Sequence, residues 1–286
     1  MDIPFTKMHG AGNDFVLVDE WEKPLVAEAD KPGFVSRVSD RHFGVGSDGV
    51  VFIQKSGDFD AKFIFYNPDG SVAEMCGNGI RCFAKYLRQK GYVDSDEFTV
   101  ETLAGSKEII FLGEDVRVDM GRPQIDCVGA QVNCGKNSFI DEEILVDGFE
   151  FRVTAVGMGN PHAVLFVDEL DLFDVVQAGS RIRHYTHAFP NGTNVHFIQP
   201  LAENQFRIRT YERGVEAETL ACGTGICASA VASVLNHKAD PEKPIHFKAK
   251  GGDLRVELEL TEDEITKVYL IGPAEKVFEG LIDSGL

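Results

Sequence analysis

The chain has 286 residues, 43% hydrophobic and 26% charged, with a net charge of −18. That balance describes a globular protein with one large domain or two of about 140 residues. The charge excludes nucleic acid, which needs clustered Lys and Arg. It gives no long-range pull on an anion, so a carboxylate ligand has to be captured by local donors. No apolar run approaches the ~20 residues that cross a bilayer. Met1–Lys7 has no basic stretch leading into an apolar one, so no membrane partner and a cytoplasmic location are expected.

In chain order, strands are expected at Asp14–Asp19, Val50–Lys55 and Ala61–Tyr66, where β-branched and aromatic residues cluster. A helix follows over Gly79–Lys90, with Ile80, Phe83, Ala84 and Leu87 on one face and Gly91 as its stop. Strands resume at Glu97–Leu103, Lys107–Leu112 and Val116–Met120. Asp119–Pro123 reads as the crossing into a second half. That half has strands at Phe151–Val156, His162–Val167, Asn194–Gln199 and Gln205–Tyr211, then a buried, Ala-rich helix over Gly225–Asn236. Strands at Ile245–Lys248, Leu254–Glu259 and Lys267–Ile271 complete it.

The two halves repeat one another. Asn13 and Asn160 lie 147 positions apart, each after Gly-x-Gly. Val51 and His196 are separated by 145, as are Tyr66 and Tyr211, and Cys76 and Cys222 by 146. Ordered landmarks at one period this long point to two similar domains, not to a solenoid of ~20–50-residue units. The fold class expected is α+β: two pseudo-symmetric domains, each a mostly antiparallel sheet wrapped around a central helix, with an active site in the cleft between them. The boundaries expected are 1–119 plus 273–286, the tail returning to the first domain, and 120–272.

Six cysteines are present, at 76, 82, 127, 134, 222 and 227, with no Cys-x-x-Cys and no zinc spacing, so no metal is expected. In a cytoplasmic chain all six should be reduced. Cys76 and Cys222 stand apart, because each precedes Gly-x-Gly and the start of a helix. Unpaired N–H groups and the helix dipole there favour thiolate and bind anions. Flanking glycines let backbone amides approach a ligand closely. Two thiols so placed suit inversion at an α-carbon: a thiolate removes the proton from one face while a thiol delivers one to the other. The roles exchange in reverse, which asks for two chemically like residues. Fixed N–H dipoles on the carboxylate stabilise the developing carbanion, and a thiol near pKa ~8.5 tunes readily towards neutrality. Which thiol is ionised at rest is open from the residues alone.

His162, after Asn160-Pro161 at a strand start, could set the protonation of a cysteine. Glu212 and Arg213 end a strand at the repeat position of Asn67, where a ligand role is expected. Asn13, Asn67, Asn160 and Asn194 offer amides that pair with amine and carboxylate alike without adding charge. A redox or metal-binding thiol protein is the rival of a different class; racemisation of proline or hydroxyproline is the rival on a similar scaffold.

Several words carry a family resemblance: Phe5-Thr6-Lys7-Met8-His9-Gly10-Ala11-Gly12-Asn13-Asp14-Phe15, Arg41-His42-Phe43-Gly44-Val45-Gly46-Ser47-Asp48-Gly49, Asn67-Pro68-Asp69-Gly70-Ser71 and Cys76-Gly77-Asn78-Gly79-Ile80-Arg81-Cys82. Met158-Gly159-Asn160-Pro161-His162, Tyr211-Glu212-Arg213-Gly214 and Ala221-Cys222-Gly223-Thr224-Gly225 complete the set. Across essentially its whole length the chain resembles the diaminopimelate epimerases, which act without pyridoxal phosphate. The resemblance implies interconversion of LL- and meso-diaminopimelate for lysine synthesis, no cofactor, a cytoplasmic location and a homodimer. It implies Cys76 and Cys222 as the acid and base, with His162 and Glu212 supporting their proton exchange. The amides of Gly77, Asn78, Gly223 and Thr224 become the α-carboxylate cradle. Asn13, Asn67, Asn160, Asn194, Glu212 and Arg213 become the other substrate contacts, Arg213 gripping a distal carboxylate. Two departures stand out: Gly49 replaces a Gln found in some members, and Val215–Thr219 is one residue longer than the commonest form.

Overall fold

The structure, a computed structural model, describes residues 2–283. The first run of elements is β1 (Asp2–Gly10), β2 (Asn13–Asp19), α1 (Lys31–Ser39), β3 (Val50–Gln54), β4 (Ala61–Tyr66), β5 (Val72–Ala73), α2 (Gly77–Lys90), β6 (Glu97–Thr102), β7 (Gly105–Leu112) and β8 (Asp115–Asp119). After β9 (Glu142–Val146) come β10 (Phe149–Gly157), β11 (Pro161–Phe166), α3 (Val175–Arg183), β12 (Asn194–Ala202), β13 (Gln205–Glu212) and β14 (Ala217–Thr219). Then follow α4 (Gly223–Leu235), β15 (Ile245–Ala249), β16 (Gly252–Thr261), β17 (Glu264–Gly272) and β18 (Glu275–Asp283). One compact unit runs through Asp119 and resumes at Gly272; the other is Met120–Ile271.

Each unit repeats one topology. In the first, β1–β2 and β3–β4 are antiparallel, β2–β3 and β4–β6 parallel, and β6–β7 and β7–β8 antiparallel. In the second, β10–β11 and β12–β13 are antiparallel, β11–β12 and β13–β15 parallel, and β15–β16 and β16–β17 antiparallel. A parallel pair needs a crossover, usually helical, where a hairpin serves an antiparallel one. Each unit has two such pairs and therefore two helices, where the sequence reading expected one. The short crossovers α1 and α3 have nine residues each. The α1 segment carries Pro32 and Gly33, so its helical signal is weak.

The α+β, pseudo-symmetric reading holds. The face of α2 expected to be apolar is buried at Ile80, Phe83, Ala84 and Leu87. Phe83 meets Phe63 edge to face at 5.4 Å. Burial of large apolar side chains such as these contributes about 1.5–3 kcal/mol each. Gly91 stops α2 in the left-handed conformation (φ 69°), its N–H returning to the carbonyls of Leu87 and Arg88. Ile226, Ala228, Ala230, Val231 and Ala232 of α4 are fully buried, as its all-round apolar sequence requires. The unit cores differ in their outermost strand. Antiparallel β18 covers β1 from Asp2 to His9, whereas β10 is covered by the preceding β9.

Cys127 and Cys134 form a disulfide, which corrects the expectation that all six cysteines are reduced. The chain turns back between them. The N–H groups of Ala130, Gln131 and Val132 reach the carbonyls of Asp126, Val128 and Cys127, with Gln131 at φ 54°. That turn brings the two Cα atoms to 6.3 Å, and a seven-residue separation alone does not announce it.

Gly179 seats α3 on β13: a Cβ there would lie 2.4 Å from Tyr211 Cβ and 2.7 Å from its Cγ. Gly179→Ala should cost about 1–3 kcal/mol, read as a lower urea midpoint; an unchanged midpoint would mean that this packing is loose.

Candidate active site: a thiol at each helix start

Cys76 caps α2 in an extended conformation, and its Sγ accepts from the Gly79 N–H at 3.4 Å. The sulfur is partly exposed and opens the run of N–H groups on Gly77 and Asn78. Asn78, 2% exposed, donates its side-chain amide to Asn13 Oδ1, and Asn13 Nδ2 donates to Asp48 at 3.0 Å. Arg41 ties Asp48 to Asp14 at 2.6 and 2.7 Å, and Lys7 holds Asp14 at 2.5 Å. Burial would raise the Asp14 carboxyl, but the bonds from Arg41 and Lys7 outweigh it and leave it below the ordinary carboxylate value. The structure thus unites Asn13 and Asn78 on a charged brace that sequence reading missed. Asn67 is not bonded to that pair; its amide donates to Ser71 Oγ at 3.0 Å in the turn after β4. At the family's Gln position, a Cβ on Gly49 would sit 2.4 Å from the Phe65 ring, so a larger residue there has no room.

Cys222 caps α4 with nearly the same backbone (φ −123°, ψ 109°, against −141° and 111° at Cys76), but it is buried. Burial pushes its thiol well above the usual value, and the neighbouring Glu212 charge adds to this. Thr224 Oγ1 at 3.6 Å and the Gly225 N–H pull the other way and do not offset it. Cys222 is therefore a thiol, hydrogen-bonded to Glu212. The longer loop before it forms a hairpin. Glu216 (φ 56°) and Gly214 (φ 92°) turn the chain, and β14 pairs back on β13 from Ala217 to Thr219.

His162, fully buried on β11, joins Asn160 Oδ1 through Nε2 at 2.8 Å and His196 Nε2 through Nδ1 at 2.8 Å. His196 Nδ1 reaches Thr210 Oγ1 at 2.9 Å. Burial first, then the electrostatic influence of His196 and Arg213, hold His162 well below 6.5; burial takes His196 down to about 3. Both rings are neutral. Sγ of Cys222 lies within 4.8 Å of a ring nitrogen on each. The three donors do not fit a resident metal as arranged. Two imidazoles on one zinc, at about 2.0 Å each in tetrahedral geometry, sit about 3.3 Å apart. Here the facing nitrogens are 2.8 Å apart in a hydrogen bond.

Asn194 lies beside His162 in the β11–β12 register. Its amide braces backbone, donating to Pro161 O at 3.0 Å and accepting from Arg213 N–H at 3.0 Å. Arg213 Nη1 donates to Asn191 O at 3.1 Å; among the described residues the side chain has no carboxylate within ion-pair distance. Burial and then the like charge of Arg183 lower its pKa. His196 and Thr210 were not anticipated. The available signal was a histidine inside the apolar run Val195–Ile198, at the repeat position of Val51.

In the solved structures, the fold matches a Bacillus anthracis phenazine biosynthesis protein of the PhzF family, with a TM-score of 0.73 at 16% identity and 99% of each chain covered. It also matches a probable proline racemase from Agrobacterium radiobacter K84, with a TM-score of 0.70 at 17% identity, covering 99% of this chain and 93% of that one. These likenesses define the fold: a doubled α+β unit. The chain belongs to the diaminopimelate epimerase family, whose model matches residues 5–125 and 154–277. Among its relatives, the diaminopimelate epimerase of Archaeoglobus fulgidus is 46% identical, over 99% of this chain and 97% of that protein. That of Pelotomaculum thermopropionicum is 46% identical, over 96% and 97%.

The two thiols should differ in reactivity. With iodoacetamide at about pH 8, peptide mass spectrometry should find Cys76 alkylated at least about tenfold faster than Cys222, because the thiolate is the nucleophile; equal rates would contradict the Cys222 environment. Stability should also depend on the two histidines. Their folded pKa values lie below the unfolded 6.5, so they contribute stability above that pH, lost as pH falls from 6.5 towards 3. The urea midpoint should drop over this range, and His196→Gln should flatten the drop; an unchanged slope would show that the histidines are not buried neutral.

Proposed function

We propose that this chain epimerises diaminopimelate, interconverting the LL and meso forms by two-thiol proton transfer in lysine biosynthesis. One observation carries the reading: in a doubled topology, each unit begins its long helix on a cysteine. The reaction asks for one sulfur on each face of the substrate α-carbon. Cys76, as thiolate, takes the proton from one face; the Cys222 thiol gives its proton to the other. The carbon gains one proton and loses one, so no oxidant or reductant is consumed. The Cys222 thiolate that results lies beside the Glu212 charge and is reprotonated readily.

The amides of Gly77, Asn78, Gly223 and Thr224 cradle the α-carboxylate at the positive helix ends, where charge develops as the carbanion forms. Arg213, with a like-charged neighbour and, among the described residues, no carboxylate within ion-pair distance, suits the distal carboxylate. Asn13, Asn67, Asn160 and Asn194 supply neutral contacts around the amino groups, and His162 walls the Cys222 side. No cofactor takes part. The protein acts in the cytoplasm as a homodimer; the apolar side chains of Val277, Phe278 and Leu281, exposed on β18, support a second copy there.

The purified protein, with no added cofactor, should convert LL- to meso-diaminopimelate, and in heavy water the product should carry α-deuterium. Cys76→Ala and Cys222→Ala should each lower kcat by at least about 10³-fold with folding intact by circular dichroism. Absence of α-deuterium during turnover, or wild-type rates in either variant, would refute the mechanism.

A further inference from the structure

The repeat sets the Cys222 side apart from the Cys76 side. Val50 pairs with Val16 and Tyr66; Val195 pairs with Ala163 and Tyr211. In that register His162, His196 and Thr210 take the places of Phe15, Val51 and Phe65. The first unit fills these positions with hydrocarbon: all three are buried, and the Phe15 and Phe65 rings meet edge-on at 5.9 Å. The second unit fills them with a line of polar groups from Asn160 to Thr210, each bonded at 2.8–2.9 Å.

A neutral imidazole has one N–H and one lone pair. Asn160 Oδ1 can only accept, so His162 carries its proton on Nε2. Its lone pair, on Nδ1, accepts from the Nε2–H of His196. His196 then accepts on Nδ1 from the Thr210 hydroxyl. The direction of the whole line is thereby set. His196 also supports the start of α4, since a Cβ on Gly225 would lie 2.0 Å from its ring carbon Cε1. No side chain larger than hydrogen fits between that ring and the turn that follows Cys222.

We propose that His196 is a positioning residue: by occupying the lone pair of His162 it fixes that ring as one neutral tautomer, so that His162 faces Cys222 as a fixed dipole and not as a proton acceptor. The proton of Cys222 then has two destinations, Glu212 and the substrate carbon. The titratable groups facing His162 are His196 on β12, Cys222 at the start of α4, and Arg213 after β13; Glu212 faces Cys222. The one carboxylate of the four, Glu212, acts on Cys222, and the groups that act on His162 all disfavour its charged form. This inference rests on the epimerase reading for its kinetic consequence, and on the hydrogen-bond geometry alone for the tautomer.

The test pairs His196→Leu, which removes the donor, with His196→Gln, whose amide restores an N–H towards His162. In 15N-histidine-labelled wild-type protein, His162 should show one protonated and one bare ring nitrogen from about pH 5 to about pH 9. In His196→Leu it should titrate, kcat should fall at least about tenfold, and the pH–rate profile should gain a limb near the ordinary histidine value. His196→Gln should stay within about threefold of wild type, with no new limb. The proposal is overturned if wild-type His162 titrates near 6.5, or if both variants lose rate equally with an unchanged pH profile. If His196→Leu does not fold, the wild-type spectrum and His196→Gln still decide. A wild type inactive on diaminopimelate would fail the functional reading and leave the tautomer result standing.

Discussion

The first turn of an α-helix carries N–H groups with no partner inside the helix. The residue that caps them sits in a field of partial positive charge. In this chain the caps of both long helices are cysteines, each followed by glycines that keep the amides open. The sheet topology places those caps. The parallel link from β4 to β6 forces a crossover, α2 makes it, and its first residue must stand where β5 ends. The link from β13 to β15 does the same for α4. The proposed anion capture and thiol chemistry are in this sense consequences of a strand-pairing rule applied twice.

Duplication gives two equivalent thiols; the proposed proton transfer asks them to differ at any one moment, one ionised and one protonated. The structure supplies that difference around the caps. Cys76 keeps a helix N–H on its sulfur and partial contact with solvent. Cys222 is buried against a carboxylate, beside imidazoles that burial keeps neutral. A charge on this sulfur is disfavoured on every count except Thr224 and the Gly225 N–H. Phenylalanine and valine in one unit, histidine and threonine in the other, occupy the same register positions. The asymmetry is therefore built from single substitutions within a shared backbone.

Much of the fold was legible because its signals are local. The strands at Val50–Gln54 and Ala61–Tyr66, the apolar face of α2 and the Gly91 stop each rest on a few neighbouring residues. Helices α1 and α3 were not legible, because nine-residue segments with interior glycine carry little periodicity; they exist because parallel strands must be joined. The 127–134 disulfide depends on a turn that no spacing rule describes. In the site, both cysteines were visible through repetition, and Asn13 and Asn160 through their Gly-x-Gly settings. The Lys7–Asp14–Arg41–Asp48 brace was not, since it draws charges from β1, β2 and the loop after α1, which lie apart in the chain.

By itself, then, the sequence determined that this is a doubled α+β protein with a thiol at each of two helix starts, because hydrophobic period, glycine stops and a constant offset are properties of residues in order. Tertiary structure decided what surrounds those thiols. Burial, the Glu212 carboxylate and the tautomer of a histidine act through space over a few ångströms. They come from strands whose neighbours are set by pairing register and not by distance along the chain.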